Sequence, residues 1–163
     1  MPDIMRFHHF TLVCRDIQES LRFYTEVLGA TIERHRRRNV GAPGGYGPIG
    51  IEIGNVTIDL FQADGDWKPF PGTYAQHYAF QIPWEAADAW FAHMKEHGVP
   101  LAIHPTSDRV ISIYFTDPSG YHLELNMRSD SPEQIRREAQ RLIDAYGSTY
   151  YWTDGVGLET AAR

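Results

Sequence analysis

His9, Asp59, His77 and Glu124 are the residues whose types and spacing suit chemistry, because they fall at matching points of a repeated pattern. His9 stands in an extended apolar run that leads into an amphipathic segment closed by Gly29, and Asp59 follows in a later apolar run. The second half repeats this layout with His77, a segment closed by Gly98, and Glu124. One imidazole and one carboxylate from each half is what a metal site built across an internal two-fold requires. Cys14 is the only cysteine, and it ends an apolar run where a free thiol behaves as a small hydrophobe. Any metal must therefore be held by nitrogen and oxygen ligands.

The elements that position these groups follow from hydropathy. Residues 7–14 alternate as a strand, and Asp16 caps a helix that buries Ile17, Leu21, Tyr24 and Leu28 before Gly29 stops it. Residues 31–37, 49–53 and 56–61 read as three more strands, the last two turning at Gly54-Asn55. The copy runs through a strand at 77–82 and a helix at 85–97, with Ala86 or Ala87, Trp90, Phe91 and Met94 inward and Gly98 as its stop. Strands at 100–104, 110–116 and 121–127 complete it, with a turn at Asp117-Pro118-Ser119-Gly120. The expected fold class is α+β: paired β-α-β-β-β modules over residues 6–62 and 76–127, within one domain at 5–128. A C-terminal helix and tail occupy 129–163. Ser131-Pro132-Glu133 starts that helix, and Ile135, Leu142, Ile143 and Tyr146 give its apolar stripe. The tail from Gly147 is rich in aromatics and glycine and carries no assignable pattern.

Strand alternation separates the histidines that matter from those that do not. Phe10, Leu12 and Cys14 share a face with His8, leaving Thr11 and Val13 with His9. Tyr78, Phe80 and Ile82 likewise oppose His77, Ala79 and Gln81. Asp59 alternates with Ile58 and Leu60, and Glu124 with Leu123 and Leu125. All four candidates turn away from the helices. Each alone would pass as an ordinary polar residue on an open sheet; four in agreeing registers favour a metal.

Other features carry less. Arg34, Arg36, Arg37 and Arg38 form a basic cluster able to receive a carboxylate or phosphate, although such a run also serves as a solvated strand end. His35 is a further candidate acid or base. The glycine-rich stretch 41–48 lacks the lysine and following helix of a phosphate loop and reads as a lid, while Trp67, Phe70 and Tyr74 offer aromatic walls. The 163 residues are 42% apolar and carry a formal net charge of -6, which argues against broad binding to nucleic acid or anionic membrane. With no long apolar run and a polar start leading straight into a strand, a cytoplasmic protein is expected.

These residues together resemble the vicinal-oxygen-chelate superfamily, which includes glyoxalase I, methylmalonyl-CoA epimerase, extradiol dioxygenases, and fosfomycin and bleomycin resistance proteins. The carriers are His9-Phe10-Thr11-Leu12, Asp16, Ser20-Leu21-Arg22-Phe23-Tyr24 through Val27-Leu28-Gly29, His77-Tyr78-Ala79-Phe80, and Asp117-Pro118-Ser119-Gly120 leading to Glu124. The resemblance implies paired modules curled around a divalent metal (Zn, Ni, Co, Fe or Mn), a small substrate with adjacent oxygens, and a homodimer. In its glyoxalase and epimerase branches a Glu or Gln stands at the place of Asp59 as a fourth ligand. Its ring-cleaving and fosfomycin branches use only the three ligands matching His9, His77 and Glu124, a facial set suited to Fe(II) and oxygen. Asp59 is one methylene shorter than that Glu, so it is read as fourth ligand or general base. Tyr114, on the way to Glu124, resembles the tyrosine of the extradiol motif, with His104 near the place of that motif's histidine. The leading expectation is a proton-transferring isomerase, epimerase or lyase. The alternative is an Fe(II) or Mn(II) extradiol-type dioxygenase, and the third is a metal-free antibiotic-binding protein.

Overall fold

Residues 6–35, 46–65, 76–146, 150–153 and 157–160 are described in the computed structural model. The chain divides into two units, Met1–Pro69 and Phe70–Arg163, each carrying one β-α-β-β-β set. In the first, β1 (His9–Cys14) leads to α1 (Ile17–Arg22), followed by β2 (Thr31–Arg34), β3 (Ile49–Ile53) and β4 (Val56–Gln62). The sheet order is β1-β4-β3-β2, with β1 parallel to β4 and the other pairs antiparallel. Asp16 caps α1 by accepting from the backbone N–H of Gln18 and Glu19, contacts that hold its carboxyl below the usual carboxylate range. Gln62 ties the end of β4 to the same corner, accepting from Ile17 N at 3.0 Å and donating to the Arg15 carbonyl at 2.9 Å.

The first helix departs from the expected α-helix. Residues Phe23–Val27 form a π-helical turn, with Leu28 N donating to the Phe23 carbonyl five residues back. This wider turn changes the buried stripe. Phe23 and Val27 join Tyr24 and Leu28 in the core, and Leu21 stays half-buried. Gly29 then takes φ +70°, the left-handed conformation that ends a helix without a Cβ penalty.

The second unit repeats the plan with β5 (His77–Gln81), α2 (Ala87–Glu96), β6 (Ala102–Ser107), β7 (Val110–Thr116) and β8 (His122–Arg128). Its order is β5-β8-β7-β6, again with the first strand parallel to the last. A 3-10 turn at Trp84–Ala86 replaces the expected start of the helix, and Trp90 is only half-buried while Ala87, Phe91 and Met94 are inward. The strand expected at 100–104 lies instead at Ala102–Ser107. α3 (Pro132–Tyr146) packs on β6 and β7 through Ile135, Ala139 and Leu142. Tyr146 is 37% exposed, contrary to its place in the expected stripe, and stacks on Phe91 with ring centroids 4.3 Å apart. In the tail, β9 (Tyr150–Thr153) and β10 (Gly157–Thr160) form an antiparallel ribbon.

Each core lies between one face of its sheet and the helix: Leu12, Tyr24, Ile51, Ile58 and Leu60 in the first unit, and Met94, Ile111, Ile113, Phe115 and Leu123 in the second. Burying such a side chain is worth about 1.5–3 kcal/mol, so the opposite face is free to hold polar groups. No helix among the described residues is long and apolar enough to cross a membrane.

Candidate metal centre

The parallel pairing of β5 with β8 sets His77 opposite His122 and Ala79 opposite Glu124. His77 and Glu124 thus share the face away from the helix, one diagonal step apart. His77 Nε2 lies 2.7 Å from Glu124 Oε2. Glu124 is only 5% exposed, and its other oxygen accepts from the Ser112 hydroxyl at 2.8 Å. Ser112 is itself buried and within hydrogen-bond distance of Thr106 Oγ1. Tyr114 stands opposite Glu124 on β7, buried, with its ring edge-on to His77 at 5.4 Å. His104 pairs with Ser112 on the outer strand β6 and is exposed. It reaches the same face without joining the His77–Glu124 cluster.

The first unit holds the equivalent pair less tightly. β1 and β4 place Thr11 opposite Asp59 and His9 opposite Thr57, the same diagonal as in the second unit. His9 Nε2 is 4.0 Å from Asp59 Oδ2, and its Nδ1 is 2.8 Å from Nδ1 of His8. Asp59 is 8% exposed, and Arg34 Nη2 donates to its Oδ1. Sequence alone singled out Arg34 only as one of a basic run. It missed the clamp on Asp59 and the hydroxyls of Ser112 and Thr106, because side-chain partners across a sheet have no signature in a single strand. His35 is exposed. Arg36, Arg37, Arg38, most of the 41–48 stretch, Trp67, Phe70 and Tyr74 lie outside the described residues.

His77 and Glu124 fit a divalent cation in type and spacing. Two ligands each about 2.1 Å from a metal and at right angles stand about 3 Å apart, close to the His77–Glu124 separation. Thr116 Oγ1 on β7 and Asn126 Oδ1 on β8, Glu124's own strand, are buried with no hydrogen-bond partner among the described residues. Cys14 is fully buried and adds no thiolate. No three His, Cys, Asp or Glu side chains among the described residues gather as a set that could hold a metal ion.

The model of the Glyoxalase/Bleomycin resistance protein/Dioxygenase superfamily matches residues 6–125, and the chain belongs to that superfamily. The protein "Glutathione transferase FosA" of Serratia marcescens is 31% identical over 127 residues, covering 77% of this chain and 83% of FosA. The putative ring-cleaving dioxygenase MhqE of Bacillus subtilis is 33% identical over 99 residues, covering 58% of this chain and 32% of that protein. Among solved structures, a variant of the fosfomycin resistance protein FosX of Listeria monocytogenes, complexed with Mn(II) and a dihydroxypropylphosphonic acid, superposes with a TM-score of 0.61. It is 22% identical, over 83% of this chain and 99% of FosX, a likeness of fold.

Proposed function

We propose that the protein is a divalent-metal-dependent enzyme acting on a small substrate through two adjacent oxygens. The proposed ligands are His9 of the first unit and His77 and Glu124 of the second, a nitrogen and oxygen set suited to Zn, Ni, Co, Fe or Mn. The observation that carries this reading is the buried contact of 2.7 Å between His77 Nε2 and Glu124 Oε2. Asp59 is proposed to stay outside the ligand set, because Arg34 already holds one of its oxygens. That choice favours a three-ligand centre over a four-ligand one.

A bound metal would polarise the substrate oxygens and stabilise negative charge developing beside them. The chain's own residues orient. Ser112 holds Oε1 of Glu124, leaving Oε2 as the oxygen turned to His77. Tyr114 packs its ring edge against the imidazole and limits how that ring can rotate. The proposed reaction is polar, namely proton transfer or nucleophilic attack beside the chelated oxygens, as in isomerases, lyases and transferases. The FosA relative, named a glutathione transferase, supports it. A second reading, ring cleavage by oxygen, is favoured by the buried position of Tyr114 opposite Glu124. A cytoplasmic homodimer is the proposed setting.

Metal analysis of protein purified without added metal, followed by oxygen uptake over a catechol panel, tests these readings. Zinc, nickel, cobalt or manganese without uptake supports the polar reaction, and iron with uptake selects the dioxygenase. A chain that takes up none of these metals would sink both, in favour of a metal-free binding protein.

A further inference from the structure

Arg34 reaches its partner by a specific piece of backbone construction. Pairing of β2 with β3 sets Ile32 opposite Ile51 and Arg34 opposite Gly50, so Glu33 is an extra residue in a β-bulge. Regular alternation from Ile32 would send Arg34 to the helix side. The bulge instead seats both Glu33 and Arg34 over Gly50, on the face that carries Asp59. The next two pairings continue the row, Gly50 opposite Asp59 and Asp59 opposite Thr11. From β2 to β4 is two strand spacings, about 9–10 Å, which an arginine spans only by lying flat across the strand between. Gly50 makes that possible. A Cβ there would stand 2.7 Å from Glu33 Oε2 and 3.3 Å from both Cβ and Nη2 of Arg34. In the second unit the position matching Gly50 is Tyr114, which also faces its carboxylate, and Ala102 stands where Arg34 does. The first unit has thus exchanged an aromatic ring for a cation reaching in from the edge strand.

The Arg34 side chain remains 40% exposed while Asp59 beneath it is nearly buried, so the arginine is held at Nη2 and still partly reached by solvent. Asp59 and Glu33 fix its direction, at 2.5 Å to Asp59 Oδ1 and 3.7 Å to Glu33 Oε2. A guanidinium has five N–H donors in a rigid fork, and one held this way still presents an edge matched to an oxyanion. We infer that Arg34, clamped by Asp59 across Gly50, is the receptor for an oxyanionic head group of the substrate, a carboxylate or a phosphonate-type group. Asp59 is then a positioning residue. The inference rests on the reading above only in taking this face as the substrate's.

Calorimetric titration of the 163-residue chain with methylphosphonate and, separately, propanoate tests it, both as purified and after chelation of metal. Wild type should bind at least one probe after chelation, and the preferred probe identifies the head group. Arg34→Gln should weaken that binding tenfold or more at unchanged melting temperature. Arg34→Lys, which keeps the charge but not the fork, should stay at least threefold weaker. Asp59→Asn should weaken it severalfold with Arg34 intact, an effect that a merely structural ion pair would not produce at equal stability. Arg15→Gln, which removes an exposed cation just before α1, should leave probe binding to chelated protein within about twofold. Equal binding by wild type and Arg34→Gln, or binding by neither, overturns the inference whatever metal analysis finds. Failure of the metal reading alone would appear as Arg34-dependent probe binding in a chain that takes up no metal.

Discussion

Glu124 is a carboxylate 5% exposed whose immediate partners are one imidazole and one hydroxyl. A buried charge with so little compensation is costly unless a cation joins it, which is why the Ser112 contact has consequences beyond packing. Ser112→Ala removes the donor to Oε1 and leaves that oxygen unsatisfied, at about 1–3 kcal/mol. The expected result is a roughly tenfold or greater loss of metal affinity, read by competition with a chelating dye, with far-UV circular dichroism unchanged. Tyr114→Phe discriminates between reactions at the same scale. If the phenol meets a bound phenolate, losing a hydrogen bond to a charged group lowers kcat/KM about ten- to a hundredfold. If the ring only supports His77, the variant stays within a few-fold of wild type.

At the scale of elements, the clearest added stabiliser is the link between α2 and α3. Asp88 Oδ1 accepts from the Tyr146 hydroxyl at 2.6 Å and from Arg141 Nη1 at 3.0 Å, and these contacts hold its carboxyl below the usual range. A lowered folded-state pKa gives stability that is present above the ordinary value of 3.8 and lost as pH falls through the lowered one. The groups are exposed, so the effect is about 1 kcal/mol at most, or roughly 2–4 °C for a chain of this length. Asp88→Asn should therefore melt slightly below wild type at pH 7 and together with it near pH 2. The registers of β1, β4, β5 and β8 were legible in sequence, because alternation alone puts His9, Asp59, His77 and Glu124 opposite the apolar face. What was not legible arises where the count of residues per turn or per pleat slips. The π-turn at Phe23–Val27 and the bulge at Glu33 each come from one residue out of phase, and hydropathy averaged over a segment does not register it. Arg34 accordingly looked like one of a basic run.

For the whole molecule, the proposed ligands His9, His77 and Glu124 would couple metal binding to the stability of the fold. A metal present at a hundredfold its dissociation constant stabilises the folded chain by about 2.7 kcal/mol, or roughly 5–10 °C here. Chelation should lower the melting temperature by that much in wild type. His9→Ala and His77→Ala, one in each unit, should each abolish the difference, whereas His8→Ala should keep it. If only the His77 variant does so, His9 is not a ligand. Cys14 turns this coupling into a time-resolved measurement. It is the single thiol of the chain, it has no exposed surface, and it sits at the end of the strand that carries His9. A thiol reagent can reach it only when the packing of the first unit opens around it, so labelling kinetics count openings of that unit with no background from other sites. The protein carries its own clock for the first unit, and the ratio of labelling rates with and without metal would give the free energy by which an ion at the proposed ligands holds that unit closed.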